Sequence, residues 1–145
     1  MTIAVDFDGT IVTHEYPKIG KAIPFAIPTL LKLQEERHRL ILWTAREGDL
    51  LDDAVNYCKK QGLEFYAVNS NYPEEDNLKE VFRPRKLTAD LFIDDRNLGG
   101  IPDWGEIYQM IHSGHPFEPL DQDAQYQHKP HRKSLIERLQ ERRFR

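Results

Sequence analysis

The stretch Asp6-Phe7-Asp8-Gly9-Thr10 decides how the rest of the sequence is interpreted. It follows the apolar run Ile3-Ala4-Val5, which is typical of a short buried strand. Successive side chains of a strand point to opposite faces, so Asp6 and Asp8 would share one face. Two carboxylates this close repel each other, and a divalent cation is the usual way to offset the repulsion. An ordinary polar turn would explain Asp8 and Gly9, but not a carboxylate at the end of an apolar strand.

Strand-like and helix-like segments alternate along the chain. Apolar runs at residues 40–43, 65–68 and 90–93 are typical of further buried strands. Apolar residues recur at helical spacing after Pro24, after Asp49 as N-cap and after Pro102, and residues 74–81 favour a short helix. This alternation predicts an α/β fold with a doubly wound parallel sheet. Residues 11–22 are too few for a large cap domain and predict a loop or small hairpin.

Composition predicts one globular domain, residues 1–112, and a polar tail, residues 113–145, that ends in a basic helix. The chain has 145 residues, of which 39% are hydrophobic and 30% are charged, as in ordinary globular proteins. From Lys129 onward seven basic and two acidic residues give a net charge of +5, which leaves −9 for the rest because the whole chain carries −4. The acidic body argues against nucleic acid as a partner, and the tail is a candidate contact for a homo-oligomer.

The sequence gives three indications of cellular location. Cys58 is the single cysteine, so no internal disulfide is expected and a reducing compartment is favoured. No apolar run approaches the ~18 residues of a transmembrane helix. The first residues lack the pattern of a secretory signal. We therefore expect a cytoplasmic protein with no membrane partner.

Polar residues follow each predicted strand, at the edge where an open parallel sheet binds its ligands. In chain order these residues are Asp6 and Asp8, Thr44 and Arg46, Asn69 and Asn71, and Asp94 and Asp95. Mg²⁺ prefers oxygen ligands, which the carboxylates supply. Arg46 could grip a phosphate or a substrate carboxylate, and an ion pair is the competing interpretation. Asn69 and Asn71 could orient a substrate or simply form turns. The two tryptophans are expected in the core and the six histidines on the surface.

The first acidic stretch resembles the first signature of the haloacid dehalogenase-like phosphohydrolases, Asp-x-Asp-Gly-Thr. The resemblance implies that Asp6 attacks phosphorus and becomes an aspartyl phosphate. It implies that Asp8 protonates the leaving group and then activates a water molecule. Thr44 resembles the second signature, a hydroxyl residue that hydrogen-bonds a phosphoryl oxygen.

Two later segments resemble the remaining signatures. Lys86 matches the third, a lysine that neutralises the nucleophile and the phosphate, with Lys79 and Arg85 as competitors. The adjacent Asp94 and Asp95 resemble the fourth, which completes a Mg²⁺ site with the side chain of the first motif Asp and the backbone carbonyl of the second. Which member of the adjacent pair binds the metal directly stays open.

The resemblance extends over residues 2–108 and includes all four signatures in order. It implies a small capless Mg²⁺-dependent phosphatase whose phosphomonoester substrate the sequence does not identify. A receiver-like signalling domain is one alternative, although there the acidic pair follows the first strand and the phosphorylated Asp a later one. A binding protein that keeps the phosphate and metal pocket without turnover is the other.

Overall fold

The described residues, 1–73, 75 and 85–116, of the computed structural model form four parallel strands and three helices in the order β-α-β-α-β-β-α. The strands are β1 (Thr2–Val5), β2 (Arg39–Leu42), β3 (Ala67–Val68) and β4 (Leu91–Ile93). The helices are α1 (Ala26–Glu35), α2 (Gly48–Lys60) and α3 (Trp104–His112). The sheet order is β3-β2-β1-β4, with every pairing parallel. The predicted α/β fold with a parallel sheet is therefore confirmed, in a Rossmann-like arrangement.

The first strand lies inside the sheet, between β2 and β4. Val5 is aligned with Leu42 on one side and with Ile93 on the other. The three strands therefore end at the same level, and the residues that follow them meet at one edge. This register places the acidic stretch after β1 beside the acidic pair after β4.

The two faces of the sheet contact different partners. Ile3 and Val5 face a core that takes buried residues from all three helices, whereas Ala4 faces a second, smaller cluster. That smaller cluster contains Ala4, Ile41, Ala67 and Leu87. The helix predicted at residues 74–81 lies outside the described residues apart from Glu75.

The connection between β1 and α1 forms a small hairpin-like loop, as predicted. Val12 makes an antiparallel bridge with Ala22, and the Thr13 N–H donates to the carbonyl of Lys21 at 2.7 Å. This connection is described throughout and contains no cap domain. The loop therefore stays close to the carboxyl end of β1.

Strands β2 and β4 differ from their predicted bounds by one residue, and α2 and β3 differ in where they begin. Helix α2 has Glu47 as its N-cap residue, so Asp49 lies in the first turn, where its charge still favours the helix dipole. Strand β3 begins at Ala67 because only its last two residues pair with β2. Helix α3 begins as expected, with a capping box between Asp103 and Glu106.

The chain beyond residue 116 lies outside the described part, and so does the predicted basic helix. Of the predicted tail, the structure describes residues 113–116. In the described ranges no helix has the length and apolar character needed to cross a bilayer.

The Cys58 thiol should be unreactive in the folded protein. It is fully buried on α2, and burial raises its pKa to about 12. Since the thiolate is the reactive form, labelling with a thiol reagent at pH 8 should be slower than in the unfolded chain by roughly 10³-fold. The measurement is labelling over time with and without urea. Rapid stoichiometric labelling without denaturant would contradict the buried position.

Candidate active site

The carboxyl ends of three strands are joined by backbone hydrogen bonds just past the sheet. The Asp6 N–H donates to the carbonyl of Ile93 at 2.9 Å, and the Trp43 N–H donates to the carbonyl of Val5 at 2.8 Å. These bonds continue both ladders of β1 by one residue. The positions of Asp6 and Trp43 are therefore fixed by the sheet.

Three carboxylates meet at this edge. Asp6, Asp94 and Asp95 each contribute an oxygen, and these oxygens all lie within 4.8 Å of one another. Burial raises the pKa of Asp6 to about 6, and repulsion from Asp94 and Asp95 adds to the increase. The Phe7 backbone N–H and the Thr10 hydroxyl act in the opposite direction. The cluster is therefore a site of concentrated negative charge that a cation would stabilise.

The turn after β1 positions the carboxylate cluster through hydrogen bonds to Asp6 and Asp95. The fully buried Thr10 hydroxyl donates to Asp6 Oδ2 at 3.3 Å and accepts from the Asp95 N–H at 3.1 Å. The indole N–H of Trp104 donates to the Thr10 carbonyl at 3.2 Å, which ties this turn to α3. Gly9 has a φ of +93°, and a Cβ there would lie 2.3 Å from Asp95 Oδ2. Glycine is therefore required for the Asp95 carboxylate to enter the site.

The donor set fits a Mg²⁺ ion. Asp95 Oδ1 is buried and has no hydrogen-bond partner in the described part of the chain, which is costly for a carboxylate oxygen. Asp94 Oδ1 accepts from the Arg96 N–H at 2.8 Å and keeps its other oxygen for a ligand. A set made only of carboxylate oxygens is typical of Mg²⁺ rather than of Zn²⁺. Asp6, Asp94 and Asp95 are the side chains that could hold it. The Asp8 side chain is not in this cluster.

Arg46 has a different role from the predicted anion binding. Its guanidinium donates to both Asp8 oxygens, through Nε at 2.6 Å and Nη2 at 2.7 Å. It also donates to the carbonyls of Pro17 at 3.0 Å and Lys18 at 2.8 Å. Arg46 is 1% exposed and Asp8 is 8% exposed. A buried guanidinium requires a counter-ion, and Asp8 supplies it, so Arg46 forms the ion pair that was the competing interpretation, buried and with Asp8 as its partner.

Thr44 lies just after β2 and lines the cleft, as the sequence predicts. Its backbone N–H donates to Asn69 Oδ1 at 2.9 Å, which links the ends of β2 and β3. Its Oγ1 accepts from the Arg46 N–H at 3.3 Å. A hydroxyl both accepts and donates, so the Thr44 proton is available to an anion in the cleft. Asn69 therefore positions this end of β2.

The predicted lysine is not brought into the cleft. Lys86 is exposed and is not among the described residues that line the cleft, and Arg85 is also exposed. Its competitor Lys79 lies outside the described residues.

Asn71 has a structural role, since its Oδ1 accepts from the Thr88 N–H at 2.6 Å and its Nδ2 donates to Glu75 at 2.9 Å.

A cleft of about 510 Å³ opens over the carboxylates. Of the predicted site residues, those that line it are Asp6, Asp8, Thr44, Arg46 and Asp94. Five further lining residues were not predicted as site residues: His14, Tyr16, Trp43, Ala45 and Arg96. Trp43 also packs on the smaller core cluster, so the core prediction describes only part of its surroundings. The sequence could have indicated these unpredicted lining residues only through their positions, next to predicted strand ends or in the loop after β1.

Comparison with solved structures finds a similar protein, described as the structure of a conserved protein coded by a locus from Bacteroides thetaiotaomicron. The two sequences are 66% identical, and the structures superpose with a TM-score of 0.74. The match covers 79% of this chain and 91% of the other. No protein-family model and no curated protein matches the sequence significantly.

Proposed function

We propose that this chain, which belongs to the same family as the conserved Bacteroides thetaiotaomicron protein, is a Mg²⁺-dependent phosphatase of the haloacid dehalogenase-like type. The observation that carries the proposal is the cluster of Asp6, Asp94 and Asp95 beside a cleft at the carboxyl edge of a parallel sheet. Ligands of open α/β sheets bind at this edge. The substrate would be a phosphomonoester, and the intermediate an aspartyl phosphate on Asp6.

The three clustered carboxylates would hold the metal ion. Mg²⁺ bound there would offset the negative charge that otherwise keeps an anionic phosphate away from an anionic nucleophile. The orphaned Asp95 Oδ1 and the raised pKa of Asp6 both favour a cation at this position. Gly9 keeps the space beside Asp95 free of a side chain.

Asp6 is the nucleophile in this proposal. The Thr10 hydroxyl donates to Asp6 Oδ2, which fixes the carboxylate while it faces the cleft. A carboxylate oxygen would attack phosphorus in line with the leaving oxygen, forming the acyl phosphate on Asp6 as the bond to the leaving group breaks. The Thr44 hydroxyl can donate to a phosphoryl oxygen during this step.

Asp8 is the proton-transfer group, and Arg46 orients it. Both Asp8 oxygens accept from the guanidinium, which holds the carboxylate at the cleft wall. An oriented acceptor suits the second step, in which Asp8 takes a proton from water. The water oxygen then attacks phosphorus and breaks the acyl phosphate bond to Asp6, which releases inorganic phosphate. Protonation of a leaving group in the first step would require an Asp8 oxygen to be released from Arg46.

Phosphate release should depend on a divalent metal. Purified protein, screened with phosphomonoesters of several classes, should lose turnover with a chelator and regain it with Mg²⁺, because the carboxylates would repel the substrate without the ion. Inorganic phosphate is the measured product. Full activity after metal removal would contradict the mechanism.

Metal binding can be measured separately from turnover. Mg²⁺ should raise the melting temperature of the wild-type protein, because an ion that binds the folded state stabilises it. Asp95→Asn should reduce that increase. Asp52→Asn, at an exposed position on α2, is the matched control and should leave the increase unchanged. Equal increases in all three proteins would place the ion elsewhere.

A further inference from the structure

The cleft is larger than a phosphoryl group requires. Its volume of about 510 Å³ lies within the ~300–1,000 Å³ typical of pockets that enclose a whole small molecule. Asp6, Asp94 and Thr44 account for the phosphate end of the proposed reaction. The remaining lining residues, which the mechanism leaves without a role, are His14, Tyr16, Trp43, Ala45 and Arg96. Two of these five are large aromatic side chains.

Tyr16 has an exposed ring that contacts the buried Arg46 guanidinium. It is 53% exposed and lines the cleft, and the guanidinium carbon of Arg46 lies 5.4 Å from its ring centroid. The same guanidinium carbon lies 5.1 Å from the ring centroid of the buried Phe7. Exposed tyrosines are common and need no explanation by themselves. Tyr16 differs from a free surface tyrosine, because it contacts a buried arginine that is itself held by four hydrogen bonds at the rim of the cleft.

Trp43 adds a second ring from a different element. Its backbone is fixed by the hydrogen bond to Val5 at 2.8 Å, and part of its side chain packs on the smaller core cluster. The rest of the residue lines the same cleft as Tyr16. Fixed aromatic residues bind flat rings with little loss of side-chain freedom.

The Asp8–Arg46 pair limits the proton donation that Asp8 can offer to a leaving group. Both oxygens of the proposed proton donor already accept hydrogen bonds from Arg46, so a departing alcohol would compete with the guanidinium for Asp8. An alkyl alcohol needs that proton in order to leave. A phenol-type oxygen departs as a stabilised anion and needs it much less.

We propose that the cleft binds the phosphate ester of a phenol-type hydroxyl, with its aromatic ring against Tyr16 and Trp43 and its phosphate toward Asp6 and Thr44. This inference rests on the proposed phosphatase function and names its substrate class. Hydrolysis would transfer the phosphoryl group to Asp6 as the phosphorus–oxygen bond to the ring breaks. The phenolate would then take a proton from water, and a second water would release the phosphate.

Binding is the decisive measurement, because aryl phosphates react faster than alkyl phosphates with almost any catalyst. Phenylphosphonate and methylphosphonate carry the same anionic group, are not hydrolysed, and differ in the ring. In the presence of Mg²⁺, calorimetry on the wild-type protein should show tighter binding of the phenyl compound by roughly 5- to 150-fold, the usual range for stacking on an aromatic side chain.

Tyr16→Leu should remove most of that difference without weakening methylphosphonate. Tyr66→Leu is the matched control, since Tyr66 is 40% exposed with the Arg39 guanidinium carbon 5.1 Å from its ring, and it does not line the cleft. Tyr16→Phe keeps the ring and should retain the preference. Equal binding of the two phosphonates, or an equal loss for both in Tyr16→Leu, would overturn the inference.

Turnover separates this inference from the function on which it rests. For wild-type protein, KM should be lower for phenyl phosphate and adenosine monophosphate than for glycerol phosphate, which has no ring. The kcat should be lower for the nucleotide than for phenyl phosphate, because the nucleotide has an alkyl ester oxygen. Phosphate release with equal KM values, or with the nucleotide preferred, would overturn the substrate class and leave the phosphatase intact. Ring-dependent binding with no phosphate release from any ester would overturn the phosphatase instead.

Discussion

Asp6→Asn should abolish phosphate release while leaving the fold intact. The amide keeps the shape of the carboxylate but is not a nucleophile, so turnover should decrease by roughly 10⁴–10⁶-fold, as in enzymes that lose a nucleophile or its partner. The assay is phosphate release with saturating Mg²⁺. Circular dichroism and thermal melting establish that the variant is folded.

The stability of the same variant has a defined pH dependence when a chelator keeps metal away. Because burial, together with repulsion from Asp94 and Asp95, raises the pKa of Asp6 from 3.8 to about 6, the wild-type fold loses stability as pH rises between these values and Asp6 ionises. The neutral amide avoids that loss. Asp6→Asn should therefore be at least as stable as the wild type above pH 6, and its advantage should shrink toward pH 4. A large destabilisation at pH 8 would mean that Asp6 is primarily structural.

The position of the covalent phosphate distinguishes the phosphatase from a receiver domain. Removing the Asp8 carboxylate should slow breakdown of the intermediate by ~10²–10⁴-fold, so Asp8→Asn protein quenched during turnover of an aryl phosphate should carry phosphate on Asp6. Mass spectrometry of peptides locates the label. Label on Asp94 or Asp95 that persists in Asp6→Asn would favour the receiver-like alternative. A phosphate-binding protein without turnover would give no label in either variant.

The sheet and the acidic cluster could be predicted because both depend on local patterns. Apolar runs and helical spacing locate the elements, and parallel strands place their carboxyl ends at one edge. Asp6 and Asp94 follow such runs directly, so their proximity requires no long-range detail. The sequence identifies Gly9 as a turn residue. The close approach of Asp95, which also requires glycine at this position, is a contact across the sheet that no local pattern contains.

The pairing of Asp8 with Arg46 could not be predicted from the sequence, because it depends on burial. The same arginine at an exposed position would be free to bind an anion, and at 1% exposure it must be neutralised by the nearest carboxylate. The carbonyls of Pro17 and Lys18 reach the guanidinium only because the hairpin-like loop folds back over it. The sequence shows neither the burial nor the loop path, although it contains every residue involved.

Arg46→Met should be among the most destabilising single changes near the cleft. It removes the hydrogen bonds that hold Asp8, Pro17 and Lys18, and it leaves the Asp8 carboxylate buried without a counter-ion. Breaking a buried ion pair in this way costs about 3–5 kcal/mol. Urea denaturation measures the loss in the free energy of unfolding. Lys32→Met, which breaks the exposed pair with Glu35 on α1, is the control and should have little effect.

A double-mutant cycle tests whether the cost arises from the pair itself. Asp8→Asn alone should also be destabilising, because it leaves the guanidinium buried without its carboxylate. Combining Asp8→Asn with Arg46→Met removes both charges, so the double variant should be more stable than the sum of the single losses predicts. Additive losses would show that the two side chains do not interact in solution. In that case Arg46 would be free to bind phosphate, and the orientation of Asp8 would need another source.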